Sequence, residues 1–312
     1  MLNKNGNIVI TGGTGFLGRA VCKELYGKKY RSIIPVNSQD YDLRLCEEVK
    51  TLYVDTQPDV VIHLAATVGG IGANKENPGR FIYENLVMGT HLIEEARINE
   101  IDKFIMVGTV CSYPKFTPVP FKEEDLWNGY PEETNAPYGI AKKTLMQMVI
   151  SYKEQYGLNG VNLLPVNMYG PNDNFDPQSS HVIPALILKF HEAMQDFPHK
   201  DVEVWGTGKA SREFLYVNDC AKAIVMAMEK HNDPQPVNVG TNREITIHDL
   251  VNLIATKMEY NGKIIFDPSK PDGQPRRCLD TTKAKELFVF EAETSFSEGL
   301  EKTIEWFKKQ CR

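Results

Sequence analysis

The chain has 312 residues, 42% hydrophobic and 24% charged, with a formal net charge of −6. This is the make-up of a folded globular protein holding one large or two smaller domains, and it excludes disorder, a fibrous repeat and a strongly basic nucleic-acid surface. Six scattered cysteines at no metal-ligand spacing predict free thiols and no metal, while polar opening residues and no apolar run near ~20 residues predict a cytoplasmic protein away from membranes.

"NIVIT" (7–11) reads as a buried strand, and the glycine-rich stretch after it opens a helix over 18–27. Gly12, Gly15 and Gly18 give G-x-x-G-x-x-G, and Gly13, Gly15 and Gly18 give G-x-G-x-x-G. Glycine permits the tight turn, lets backbone approach a pyrophosphate and lets the helix pack close to the strand. The helix N-terminus adds amide donors and a partial positive charge. Set between a strand and a helix, this loop predicts a dinucleotide site.

"SIIPV" (32–36) is the second strand, and the residues after it choose the dinucleotide. An acid at the strand end would bind the ribose hydroxyls of NAD and repel a 2′-phosphate. Asn37 and Ser38 stand there instead, neutral donors that tolerate the phosphate, and Asp42 is placed toward the adenine. The expected cofactor is NADPH/NADP.

"VVIHLAA" (60–66), a helix over 85–100, "KFIMVGT" (103–109) and "GVNLLPVN" (160–167) continue the alternation of strand and helix. The pattern predicts βαβ units with right-handed crossovers, hence an α/β fold with a Rossmann-type, doubly wound parallel sheet. Within "NAPYGIAKK", Tyr138 and Lys142 lie one helical turn apart and share a face. A neutral phenol offers a lysine no salt bridge, and the spacing by itself leaves a chance pairing open.

After Pro171 the texture changes. "GPNDNFDPQSSHVIP" predicts a long loop and a domain border. Beyond it come a helix near 182–195, strands "DVEVWG" and "SREFLYV", a helix over 219–230, "PVNVG", a helix over 246–258, "KIIFD" and a closing helix. The expected division is a cofactor domain over 1–170 and a smaller, mixed α/β substrate domain over 171–312. The chain is expected to return to the first domain near 214–240.

Tyr-x-x-x-Lys behind a glycine loop resembles the extended short-chain dehydrogenase/reductase family. "HLAATVGGIGANKENPGRFIYEN", "CSYPK", "LLPVNMYGPNDNF", "VEVWGTGKASREFLYVND" and "IIFDPSKPDGQPRR" are similar to a narrower family within it, the GDP-L-fucose synthases, over nearly the whole chain. That resemblance implies NADPH-dependent reduction of the C4 ketone of a GDP-4-keto sugar together with 3,5-epimerisation, as on GDP-4-keto-6-deoxy-D-mannose, by a homodimer. It implies a reduction centre in which Tyr138 protonates the C4 oxygen, Thr109 hydrogen-bonds it and Lys142 tunes the tyrosine. Cys111 and His181 match the epimerisation pair.

For the cofactor, the resemblance implies Gly12, Gly15, Phe16, Leu17 and Gly18 at the loop, and Asn37, Ser38, Asp42 and Leu43 after the second strand. Leu64, Ala65 and Ala66 follow the third strand and Pro165, Asn167 and Met168 the fifth, with Lys142 and His181 added. Lys189, Trp205, Arg212 and Asp272 match positions that bind the GDP-sugar. Two departures stand out: Lys189 occupies a position where the family often has arginine, a fork exchanged for a point charge. Thr14 and Ser38 stand where some bacterial members carry arginines near the adenosine phosphate. Two other readings remain open. One is a C4 reductase alone, acting on a pre-epimerised sugar such as a GDP-4-keto-heptose. The other is a non-catalytic dinucleotide sensor, against which the presence of both Tyr138 and Lys142 argues.

Overall fold

The computed structural model describes residues 3–196, 198–270 and 272–311. In chain order its first half runs β1 (Asn7–Thr11), α1 (Phe16–Gly27), β2 (Ser32–Val36), α2 (Cys46–Thr56), β3 (Val60–His63), α3 (Ile71–Glu76), α4 (Pro78–Ile98), β4 (Lys103–Val107), α5 (Ala136–Tyr156) and β5 (Gly160–Pro165). The second half adds β6 (Asn167–Tyr169), α6 (Val182–Ala193), β7 (Val202–Trp205), β8 (Ser211–Tyr216), α7 (Val217–Lys230), β9 (Val237–Val239), β10 (Glu244–Thr246), α8 (Ile247–Met258), β11 (Ile264–Asp267), α9 (Thr282–Phe288) and α10 (Phe296–Gln310).

The large sheet has the order β2-β1-β3-β4-β5-β9, with every neighbouring pair parallel. Its central strands are runs of Val, Ile, Leu and Phe with both faces buried, the condition for a parallel sheet covered by helices on each side. The strand order reverses between β1 and β3, so a crevice opens beyond the carboxyl ends of those strands. A second core gathers Ile187, Phe190, Leu250, Ile254 and Leu300 around two small sheets, β10-β8-β6 and β11-β7.

Past residue 170 the chain does not stay with the smaller core. Helix α7 packs on α1, β9 extends the large sheet beside β5, and Ala284, Phe288 and Phe290 join the large core.

Several boundaries differ from the sequence pattern, three of them informatively. Helix α4 begins at Pro78, seven residues before 85, because proline suits a first helical turn and Arg80 and Glu84 pair one turn apart at 3.1 Å. Strands β3 and β4 stop at His63 and Val107, short of 66 and 109. The apolar residues that follow leave the sheet and line the crevice instead. Helix α2 carries Glu47 and Glu48 in its first turn, a charge placement that suits the helix dipole but gives little apolar rhythm.

Candidate active site

A cavity of about 810 Å³ occupies the crevice at the strand ends. At one end lies the glycine loop. Gly12 has φ +68°, and a Cβ on Gly18 would meet the Gly12 carbonyl at 2.3 Å, so the loop and helix close into a cradle that side chains would fill. Gly15 caps α1 with no side-chain hydrogen bond, and no acid stands in the first turn. The helix therefore offers its first amides to an anion, as a dinucleotide pyrophosphate requires. Phe16, Leu17, Leu43, Leu64, Ala65 and Ala66 add apolar wall.

Asn37 and Ser38 line the cavity after β2, and both nearby acids are engaged. Asp40 accepts from the Asn37 amide at 2.9 Å. Asp42 accepts from Arg44 Nε and Nη2, each at 2.8 Å, and this hydrogen-bonded partner holds its carboxyl below the usual range. Arg44 also reaches Glu84 at 3.1 Å. Asp42 is thus already neutralised by an arginine that the sequence reading did not single out.

The opposite end holds Thr109, Cys111, Tyr138, Lys142 and His181. Thr109, just past β4, accepts from the Cys111 amide at 3.2 Å and starts a 3₁₀ turn over Val110–Ser112, which leaves its own proton available. Ser112 ties that turn to α5 by donating to the Gly139 carbonyl at 2.9 Å. A Cβ on Gly139 would lie 2.3 Å from the Cys111 carbonyl, so glycine is what lets the helix carrying Tyr138 approach the turn carrying Cys111. Burial first, and Cys111 second, push the Tyr138 phenol well above its ordinary range.

Lys142 is 2% exposed and burial pulls it down to about 8. Its Nζ donates to the Val107 carbonyl at 3.1 Å. The lysine is thus held in the cavity wall by backbone. Beneath it, His63 shares a 2.8 Å hydrogen bond with Thr11 and is held well below the usual histidine range, by burial and then by Lys142.

Pro165, Asn167 and Met168 line the same wall. So does His181, the residue before α6, whose ring opens to the cavity while the protein around it lowers its pKa by desolvation. Two further wall residues gave no signal in the sequence. Asp173 is 9% exposed; one of its oxygens accepts from the Asn174 amide at 2.8 Å and the other has no partner among the described residues. Burial raises it to about 7. Asn74 likewise keeps its side-chain oxygen unpartnered.

Lys189, Trp205, Arg212 and Asp272 lie outside this cavity and beside one another on the smaller core. Lys189 donates to the Glu203 carbonyl at 3.0 Å, and Lys270 sits 5.7 Å from the Trp205 ring. The Asp272 carboxylate accepts from the Thr207 amide and hydroxyl, each at 2.7 Å, while Arg212 reaches only its backbone carbonyl at 3.4 Å. Burial first, and Arg277 second, bring Arg212 down to about 10. Two poorly compensated arginines near Cys111 make this the electropositive side of the site. Among the described residues no cluster of His, Cys, Asp and Glu could hold a metal, and all six cysteines are free.

Residues 8–240 match the NAD dependent epimerase/dehydratase family. The GDP-L-fucose synthase of Escherichia coli (strain K12) is 39% identical over 310 residues, covering 96% of each chain. A gdp-l-fucose synthetase from Naegleria fowleri, solved bound to NADP, superposes with a TM-score of 0.91 at 29% identity, covering 100% of this chain and 95% of that one. A GDP-6-OMe-4-keto-L-xylo-heptose reductase from C. jejuni gives 0.92 at 28% identity over 99% of each chain. With a glycine cradle, a Tyr-x-x-x-Lys helix and full-length relatives of this kind, the chain belongs to the NAD-dependent epimerase/dehydratase family, among the GDP-L-fucose synthases and their kin.

Proposed function

We propose that this enzyme reduces the C4 ketone of a GDP-4-keto sugar with NADPH and inverts C3 and C5, as GDP-L-fucose synthases do. The observation that carries the reading is that Thr109, Cys111, Tyr138, Lys142 and His181 share the walls of one cavity whose far end is the glycine cradle. That cradle, the free amides of α1 and the neutral Asn37 and Ser38 fit a phosphorylated dinucleotide. When bound, NADPH supplies the hydride.

The chain's own residues do the rest. Tyr138, kept protonated by burial and by Cys111, gives its proton to the C4 oxygen, and Thr109 donates its spare hydrogen bond to the same atom. Lys142 adds positive charge beneath them. The ketone acidifies the neighbouring C–H bonds. Cys111 takes a proton from C3 or C5, the C–H electron pair passes to the ketone oxygen as an enolate, and His181 returns a proton to the carbon. A diphosphate beside the arginines favours the charged imidazole, against the burial that lowers it. Arg212 and Lys189 serve the diphosphate, Trp205 gives the base a flat apolar surface, and Asp272, tied to Thr207 between β7 and β8, completes this side of the GDP-sugar site.

We place the enzyme in the cytoplasm as a homodimer. The free cysteines suit a reducing compartment. Tyr83 and Ile98 stand exposed on α4, beside α5, as an apolar surface for a second copy.

A second reading, reduction of a GDP-4-keto-heptose already epimerised, is favoured by the close superposition on the C. jejuni reductase. Incubation with NADPH and either GDP-4-keto-6-deoxy-D-mannose or a GDP-4-keto-heptose, with products identified by NMR, separates the two. The first substrate should emerge reduced at C4 and inverted at C3 and C5. Reduction of the heptose alone would overturn the first reading in favour of the second.

A further inference from the structure

Arg277 is 8% exposed, and its described partners include no carboxylate. Nε and Nη2 donate to the Gln274 side-chain oxygen at 3.2 and 2.9 Å, and Gln274 is itself fixed by donating to the Lys115 carbonyl at 2.7 Å. The remaining arm, Nη1, points at the Cys111 sulfur 3.6 Å away. A buried guanidinium without an anion is costly, and a neutral amide relieves little of that cost. A second, half-buried cation lies nearby: Arg277 disfavours the charge on Arg212, which Cys111, Asp272 and Glu132 favour. Among the described hydrogen-bond partners of Arg277, the sulfur is the one that can carry a negative charge.

We propose that Arg277 is a positioning residue that holds Cys111 as the thiolate, ready to act as a base. Gln274 aims the guanidinium, so the sulfur is both oriented and charged before a sugar enters. In the step itself a C–H bond next to the C4 ketone breaks, an S–H bond forms, and the electron pair passes to the ketone oxygen; Arg277 keeps its protons throughout. The use of the thiolate in epimerisation rests on the reading above, whereas the arginine–sulfur contact does not.

The test uses the full chain and iodoacetamide at pH 7, with the Cys111 peptide followed by mass spectrometry and the exposed Cys46 and Cys311 as internal references. Arg277→Gln should slow labelling of Cys111 about tenfold or more relative to those references, and Arg277→Lys should recover most of the rate. NADPH binding by both variants confirms that they fold. Equal labelling of the wild type and Arg277→Gln would overturn the proposal. A raised KM for the sugar with unchanged labelling would also overturn it, by assigning Arg277 to the diphosphate. Deuterium uptake from D₂O into C3 and C5 is the companion readout. At saturating sugar Arg277→Gln should lower it by a larger factor than it lowers kcat for reducing an epimerised ketone. Loss of both by the same factor, as from a general structural fault, would count against the proposal. Wild-type labelling that depends on Arg277 without any deuterium uptake would sustain the contact and sink the epimerase reading instead.

Discussion

At the cofactor end of the cavity the wall is shaped by the backbone of Gly12, Gly15 and Gly18, each three residues after the last. At the reaction end it is side chains from the turn after β4, from α5 and from the 170–181 loop, with Arg277, 166 residues from Cys111, reaching the sulfur. The first end recognises a constant group, a pyrophosphate, by shape and amides. The second performs chemistry and needs ionisable groups held in protein, where burial and neighbours set which form each takes. Substitutions at the two ends should therefore fail differently, one by losing cofactor and the other by losing rate.

The widest separation is expected at Tyr138. Tyr138→Phe keeps the ring and removes the proton donor, so kcat for reduction should fall roughly 100- to 10,000-fold while NADPH still binds. Stopped-flow oxidation of NADPH together with a fluorescence titration reads both quantities. Near wild-type turnover would remove Tyr138 from the role of acid.

Asp173 shows what burial of a titratable group costs the fold. With its carboxyl raised to about 7, the folded chain holds a proton that the unfolded chain has already lost above about pH 4. Wild-type stability should consequently fall as pH rises from about 4 to 7. Asp173→Asn, neutral throughout, should match the wild type below about pH 4 and exceed it above pH 7 by on the order of a few kcal/mol. Urea unfolding across this range checks it, and a gain at low pH in place of high pH would contradict the assignment.

At the backbone end, Gly18→Ala places a methyl 2.3 Å from the Gly12 carbonyl. Overpacking of this kind costs roughly 1–3 kcal/mol, so NADPH affinity should weaken about tenfold or more with little change in the pH profile of the bound enzyme. The smallest effect is expected at Ser38. Ser38→Asp sets a negative charge against a 2′-phosphate at an open site, and the ratio of kcat/KM for NADPH over NADH should fall by about tenfold or less.

How much of this was legible in the chain follows the same division. The glycine loop and Tyr138–Lys142 are each written in consecutive residues, because one turn or one helix face builds them. Cys111 and His181 became candidates only through likeness to relatives, since a lone thiol and a loop histidine carry no pattern of their own. Arg277 sat in a quoted stretch without a role, because its contact with Cys111 depends on tertiary folding alone. Asp173 looked like one more polar loop residue until its burial was visible. Asp42 read as an acid facing the adenine, and its pairing with Arg44 two residues on depends on a side-chain conformation that no spacing rule supplies. Strand ends were misplaced for a related reason: Leu64, Ala65 and Ala66 are apolar enough for a strand but serve the cavity wall.

The account stands most directly on whether one cavity carries out both proton exchange and reduction. The wild-type chain, incubated in D₂O with NADP⁺ and GDP-4-keto-6-deoxy-D-mannose, should wash deuterium into C3 and C5 while the ketone stays unreduced, as followed by NMR. Cys111→Ser replaces a thiol with an alcohol far harder to ionise and should suppress that exchange. An absence of exchange in the wild type, alongside NADPH-dependent reduction of a ketone supplied already epimerised, would contradict the account and leave the chain a C4 reductase.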